Sequence, residues 1–153
     1  MVEAWRITKA RFARTAFTGE GARLYGGRWT SAGRRAVYVS ATASLATLEI
    51  AVHLGSTAAL DAYVMFPVVI PDGLIITLDA KRLPRDWRKY PAPAALQRLG
   101  DAWLDAGDSP VLKVPSAVVP AESNFLLNVE HPKFKRIIIG KATAYSLDPR
   151  LVR

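Results

Sequence analysis

Glu49 is the only formally charged residue between Arg35 and Asp61, and it lies within the apolar segment Ser-Leu-Ala-Thr-Leu-Glu-Ile-Ala-Val-His-Leu (44–54). A carboxylate in such surroundings must be paired or used in chemistry, because an isolated buried charge is strongly disfavoured. Its chemical reading is a group that stabilises a developing positive charge or holds a sugar hydroxyl; its structural reading is a carboxylate satisfied by an arginine or a backbone donor. Upstream stands Gly26-Gly27-Arg28-Trp29. The planar donor fork of Arg28 suits a phosphate or carboxylate, and the glycines let backbone N–H groups approach the same anion. A tight turn with an exposed arginine is the alternative. Downstream, Ser116 follows Val114-Pro115, where it can hydrogen-bond a ligand or cap a turn. Tyr38 offers an aromatic face or a core ring with a bonded hydroxyl. Asn124, in Glu122-Ser-Asn-Phe, is an amide ligand-binder or a turn residue.

Several chemistries are disfavoured. There is no cysteine, and the two histidines, His53 and His131, are far apart, so thiolate and zinc-motif chemistry lack their usual ligands. No GxGxxG or GK[ST] loop is present. A serine hydrolase centred on Ser116 lacks the GxSxG elbow and has few histidines to act as base.

These residues need elements to position them. Ala4–Phe12 is expected to be extended, followed by a glycine-rich loop, 18–29. Ala36–Ser40 is a short strand with Tyr38 alternating against Val37 and Val39. The spacing predicts a helix over 44–54, with Thr42 or Ser44 as N-cap, Gly55 as stop and Leu45, Leu48 and Val52 on one face. Residues 62–69 and 74–78 are β-branched segments joined by Pro71-Asp-Gly, and are expected to form a hairpin or adjacent strands. Residues 87–93 are irregular. Ala94–Ala106 is a helix with Leu96, Leu99, Trp103 and Leu104 inward, ended by Gly107. Strands follow at 111–114 and 136–139, with an unassigned segment at 124–128 and a polar tail. Short strands without regular βαβ alternation favour an α+β fold with mixed or antiparallel sheets and flanking helices.

The 153 residues fit one compact domain, 1–153, and half of them are hydrophobic, so the chain is globular. No signal peptide is evident, and the run 62–71 is too short to span a membrane, which points to a cytoplasmic protein without membrane contact. Twenty-one Lys and Arg against 13 Asp and Glu give a net charge of +8. That excess attracts a nucleic acid, an acidic protein or a phosphate-bearing substrate. The positives are scattered, and the aromatics do not interleave with them as in single-strand binders. A small basic nucleic-acid-binding module is the rival class.

Taken in order, the motifs resemble the RES domain, named for its Arg, Glu and Ser. The likeness runs through Gly19-Glu-Gly-Ala-Arg-Leu-Tyr-Gly-Gly-Arg-Trp29, Ala36-Val-Tyr-Val-Ser40, Leu45-Ala-Thr-Leu-Glu49, Val114-Pro-Ser-Ala-Val-Val-Pro120, Glu122-Ser-Asn-Phe-Leu-Leu-Asn128 and His131-Pro132. Thr30 and Val129 depart from the residues common in that family. The resemblance implies an ADP-ribosyltransferase-like fold and a bacterial toxin that is neutralised by a cognate Xre-family antitoxin, which itself carries the DNA binding. It also implies that NAD is consumed as a substrate, without metal or other cofactor. Cleavage would be hydrolysis or phosphorolysis of the nicotinamide–ribose bond, or transfer of ADP-ribose to a protein target. Arg28, Tyr38, Glu49 and Ser116 match the family's active-site residues, and Asn124 joins them as a binding residue. Under that reading Arg28 and the glycine amides meet the pyrophosphate, Tyr38 stacks on nicotinamide, Glu49 faces the ribose, and Ser116 bonds the ribose or carboxamide.

Overall fold

The computed structural model describes residues 1–55 and 60–152. Its centre is β1 (Val2–Lys9), which pairs along its whole length with β3 (Tyr63–Ile70), from Val2↔Ile70 to Lys9↔Tyr63. On its other side β1 meets β2 (Val37–Ser40) through Trp5↔Ser40. β2 continues to β6 (Ser123–Leu127), β6 to β5 (Val111–Pro115), and β5 to β4 (Ile75–Thr77). β7 (Ile138–Ile139) and β8 (Thr143–Tyr145) both add to β3. The order is β4-β5-β6-β2-β1-β3-β7, antiparallel except for the parallel pair β4·β5. The fold is therefore α+β with a mixed sheet, as the run of short strands predicts.

The sheet curls. Ala4, Val37, Val39, Val68, Ile70, Leu74, Val111 and Leu127, drawn from across its width, bury into one cluster. This overturns the expected pairing of 62–69 with 74–78. Pro71-Asp-Gly makes a corner, not a hairpin, and sends the chain from β3 across the open side of the curl to β4 beside β5. The physical reason is that β3 is already flanked by β1 and by β7 and β8, so neither of its edges is free for β4.

Among the described residues three α-helices dress the sheet. α1 (Glu20–Tyr25) interrupts the expected glycine-rich loop. α2 (Ala43–Ala51) starts at Thr42, whose hydroxyl accepts the Leu45 N–H at 3.0 Å, and it ends before Gly55. Its buried residues are Leu45 and Ala46, and Ile50 and, beyond the helix end, Leu54 pack against the cluster that holds Ala46 and Ile7; Val52, expected inside, is 56% exposed. α3 (Ala94–Ala106) is as predicted: Leu96 and Trp103 are buried, Leu99 and Leu104 pack beside them, and Gly107 ends it at φ 64°. Gly100 faces the Trp29 carbonyl so closely that a Cβ would stand 1.7 Å from that oxygen, which fixes the helix over the Trp29–Thr30 backbone.

Smaller differences lie at strand ends. β1 stops at Lys9, where a 3-10 turn takes over, and the unassigned 124–128 segment belongs to β6. The tail is structured: β8 brings the Tyr145 hydroxyl to 2.7 Å from Thr47 Oγ1 on α2, and Leu147 and Val152 are buried.

Candidate active site

After Trp5↔Ser40 the strands β1 and β2 part. A cavity of about 280 Å³ fills the opening, with Trp5, Arg6, Tyr38, Glu49, Ile50 and Asn124 among its walls. Glu49 reaches it because Ala46, one helical turn earlier, packs against β1 and turns that face of α2 toward the split. Thr42 Oγ1 also donates to Glu122 at 3.1 Å and ties the start of α2 to the segment that carries Ser116 and Asn124.

The Glu49 carboxylate is held on one side. Oε1 accepts from Ser116 Oγ at 2.6 Å and from Asn124 Nδ2 at 2.7 Å. Both donors are fixed in turn. Ser116 Oγ accepts the Val118 and Val119 amides at 3.1 and 3.0 Å, and Asn124 Oδ1 accepts from Ser40 Oγ at 2.7 Å. Among the described residues Oε2 has no protein partner and no buried side-chain nitrogen or oxygen lacks one, so Oε2 opens onto the cavity. Ser116 is 0% exposed and its hydroxyl is fully occupied. Its hydroxyl is spent on Glu49 and on two backbone amides, and no histidine is hydrogen-bonded to it as a base.

Arg28 differs from expectation in its partners. Its Nη1 donates to the carbonyls of Trp87 and Lys89, each at 2.9 Å, and so ties down the 87–89 segment. Burial lowers its pKa and the neighbouring Glu49 charge opposes that shift. Nε and Nη2 keep their donors. The glycines before it do not present amides to a ligand: Gly26 N–H bonds Ala22 O, and Gly27 N–H bonds Thr30 O at 2.9 Å. Their purpose is steric. Gly26 takes φ 70°, and a Cβ on Gly27 would lie 2.5 Å from the Tyr38 hydroxyl. That hydroxyl accepts the Trp29 N–H at 3.1 Å and shares a 2.7 Å hydrogen bond with Thr30 Oγ1. Burial pushes its pKa up to about 12. Tyr38 thus pins the Arg28 turn while its side chain lines the cavity.

Arg6 is the functional candidate the sequence reading missed. Its Nε donates to Ala16 O at 2.7 Å and its Nη1 to Tyr38 O at 2.9 Å, which satisfies the β2 edge where the strands part. The ring of Phe17 lies 5.9 Å from its guanidinium carbon. Burial lowers its pKa to about 10, and no carboxylate pairs with it among the described residues. Among the described residues Nη2 has no protein acceptor, and it is therefore open to the cavity. The available signal was weak: Arg6 stands between Trp5 and Ile7, but its strand also carries Glu3 and Lys9, so the arginine did not stand out as Glu49 does. Trp5, the aromatic wall beside it, was likewise unread.

A cavity with a one-sidedly held carboxylate, two arginines with unused donors and aromatic walls can bind a phosphate-bearing ligand and stabilise positive charge near it. His131 stands apart from it. Its Nδ1 accepts the Lys133 N–H and its Nε2 donates to Gly107 O, a structural clasp. Among the described residues no helix is long and apolar enough to cross a membrane.

Residues 3–148 match the RES domain. The chain is 38% identical over 148 residues to Toxin Res of Yersinia enterocolitica, covering 96% of this chain and 97% of that one. It is 38% identical over 150 residues to Toxin Res of Photorhabdus laumondii, covering 97% and 96%. It is 35% identical over 155 residues to the Prs ADP-ribosylating toxin of a Sphingobium species, covering 97% and 96%. A chain of the M. tuberculosis MbcT–MbcA toxin–antitoxin complex superposes with a TM-score of 0.79 at 21% identity, over 98% of this chain and 86% of that chain, a likeness of fold.

Proposed function

The chain belongs to the RES domain family, and from that premise we propose that it is the toxin of a toxin–antitoxin pair that consumes NAD by breaking the nicotinamide–ribose bond. The observation that carries this reading is Glu49: one oxygen fixed by Ser116 and Asn124, the other open, in a cleft with Arg6 and Arg28. When the C–N bond breaks, its electron pair leaves with nicotinamide, which departs as a neutral amine, and the ribose carbon becomes oxocarbenium-like. The open Oε2 of Glu49 stabilises that charge and orients a ribose hydroxyl. Ser116 and Asn124 keep the carboxylate in place and neutralise none of its charge. Arg6 Nη2 and the unused donors of Arg28 hold pyrophosphate oxygens. Trp5 and Tyr38 supply aromatic walls for a planar ring. The acceptor then bonds to the ribose carbon: water gives hydrolysis and phosphate gives phosphorolysis.

Transfer of ADP-ribose to a protein side chain is a second reading, favoured by the name of the Sphingobium relative. The partner that silences the toxin is an antitoxin, a reading supported by the toxin–antitoxin complex among the fold neighbours; that this antitoxin is of the Xre type rests on the family resemblance alone. Purified protein incubated with NAD is expected to release nicotinamide, with free ADP-ribose or its 1-phosphate as co-product, or labelled protein when extract is added. No release under any of these conditions would overturn the NAD reading. Salt-sensitive nucleic-acid binding in its place would establish the rival class.

A further inference from the structure

One edge of the sheet ends without a neighbour. β7 and β8 lie one after the other along the same side of β3, β7 opposite Val68 and Val69 and β8 opposite Tyr63, Val64 and Met65. The register changes by one residue between Ile139↔Val68 and Thr143↔Met65, so the two form one edge strand with a bulge. β7 closes the strand order, and β8 pairs with β3 alone among the described strands.

The backbone of this edge is partly unspent. In an antiparallel pair, residues that exchange hydrogen bonds alternate with residues that do not. The Gly140 N–H bonds the Pro67 carbonyl at 2.7 Å, so Ile138 is turned toward β3 and Ile139 away from it. On the other side of β3, the Ala10 N–H bonds Ala62 O, which turns Val64 toward β1 and leaves Tyr63 and Met65 facing β8. Ala144, opposite Val64, therefore also points outward. Among the described residues neither the Ile139 nor the Ala144 N–H has another backbone acceptor. Outward main-chain groups on an exposed edge are a template for a further strand.

The side chains define which strand fits. Ile138 is 55% and Ile139 38% exposed, on opposite faces of the edge. Between 131 and 147 the chain carries Lys133, Lys135, Arg136 and Lys141, all exposed, and no Asp or Glu. None of these four cations forms an ion pair among the described residues. On the Ile138 face, register places Glu3 across β3 opposite Val69, one carboxylate against four cations. A second copy of this edge would bring like charges together, which disfavours pairing with itself. A strand of opposite charge is attracted by the same residues.

We propose that the β7–β8 edge docks an acidic, extended segment of a protein partner, which pairs with the Ile139 and Ala144 backbone as an added strand. Its apolar side chains cover Ile138 and Ile139, and its carboxylates meet Lys135, Arg136 and Lys141. No residue of this edge lines the cavity in the β1–β2 split, so docking here leaves that cleft open and is independent of the NAD-cleaving reading.

The probe is a fluorescently labelled peptide of alternating glutamate and valine, with a lysine–valine peptide of the same length and a single-stranded oligo-uridylate as controls. Anisotropy titrations use the full chain as wild type, Ile139→Pro, Ile138→Glu and the double variant Lys135→Glu/Arg136→Glu. Proline at 139 removes an N–H that does not face β3, so the existing ladder survives. A thermal melt checks this, and the other two variants change only exposed side chains. The wild type is expected to bind the acidic peptide and not the basic one, and hydrogen exchange at the Ile139 and Ala144 amides slows on binding. Each variant is expected to weaken binding about tenfold or more. No binding of the acidic peptide by the wild type, or equal affinity for both peptides, overturns the docking strip. Weakening in Lys135→Glu/Arg136→Glu but not in a folded Ile139→Pro, with no slowing of exchange, overturns strand addition. If oligo-uridylate binds and the acidic peptide does not, the edge belongs to nucleic acid and the proposal fails.

Discussion

Replacing Ser116 with alanine separates two roles that the residue could have. In the structure its hydroxyl accepts two backbone amides, Val118 and Val119, and donates at 2.6 Å to the Glu49 carboxylate, with no surface exposed. Ser116→Ala orphans both amides, at about 1 kcal/mol each, and removes a hydrogen bond to a charged group, typically about 1.5–3 kcal/mol. Val118 and Val119 are half-buried, so water recovers part of this. About 2–4 kcal/mol of stability is expected to go. A domain of this size loses about 2–4 °C per kcal/mol, so Tm falls by about 4–16 °C in a thermal melt. Glu49 keeps Asn124 but can swing, and nicotinamide release falls by about tenfold in kcat through lost orientation. A Tm within about 1 °C of wild type together with a raised KM for NAD would refute this reasoning, because that pattern belongs to a serine that touches substrate.

Two further substitutions test the walls of the cleft. Tyr38, pushed up to about 12 from 10, keeps its proton in the folded chain while the unfolded chain loses it. Wild-type stability therefore stays level below pH 10 and falls by up to about 2.7 kcal/mol from there to pH 12. Tyr38→Phe lacks this slope, so in urea unfolding the stability gap between the two proteins narrows across that window; a constant gap would count against the burial of the hydroxyl. Arg6→Lys keeps a charge but cannot reach Ala16 O, Tyr38 O and a ligand together. KM for NAD is expected to rise about tenfold, and an unchanged KM would remove Arg6 from the site.

What the sequence disclosed and what it withheld follow from the range of the interactions. α3 was legible because Leu96, Leu99 and Trp103 repeat at helical spacing and Gly107 is a local stop. β2 and the oddity of Glu49 were legible for the same local reasons. The inward face of α2 was misread because small Ala46, not Leu48 or Val52, is what fits against β1, and that depends on a strand forty residues away. The corner at Pro71-Asp-Gly carries the same residues as a hairpin turn, so the route of β3 to β4 was hidden until β1 occupied the edge of β3. Arg6 looked like one scattered cation among many. Only the parting of β1 and β2 reveals it as a buried guanidinium with a free arm. The partners of Arg28, the carbonyls of Trp87 and Lys89, lie some sixty residues along the chain in a stretch without periodicity.

Glu49→Gln is the most direct test of the proposed chemistry. The amide keeps the shape of the side chain and its oxygen can still accept from Ser116 and Asn124, so the fold and the cleft persist while the negative charge is gone. Nicotinamide release from NAD is the quantity to measure. A fall of at least about 10²-fold in kcat, with Tm within a few degrees of wild type, is predicted for the loss of the group that stabilises the ribose cation. Release at the wild-type rate by a folded Glu49→Gln protein would contradict it.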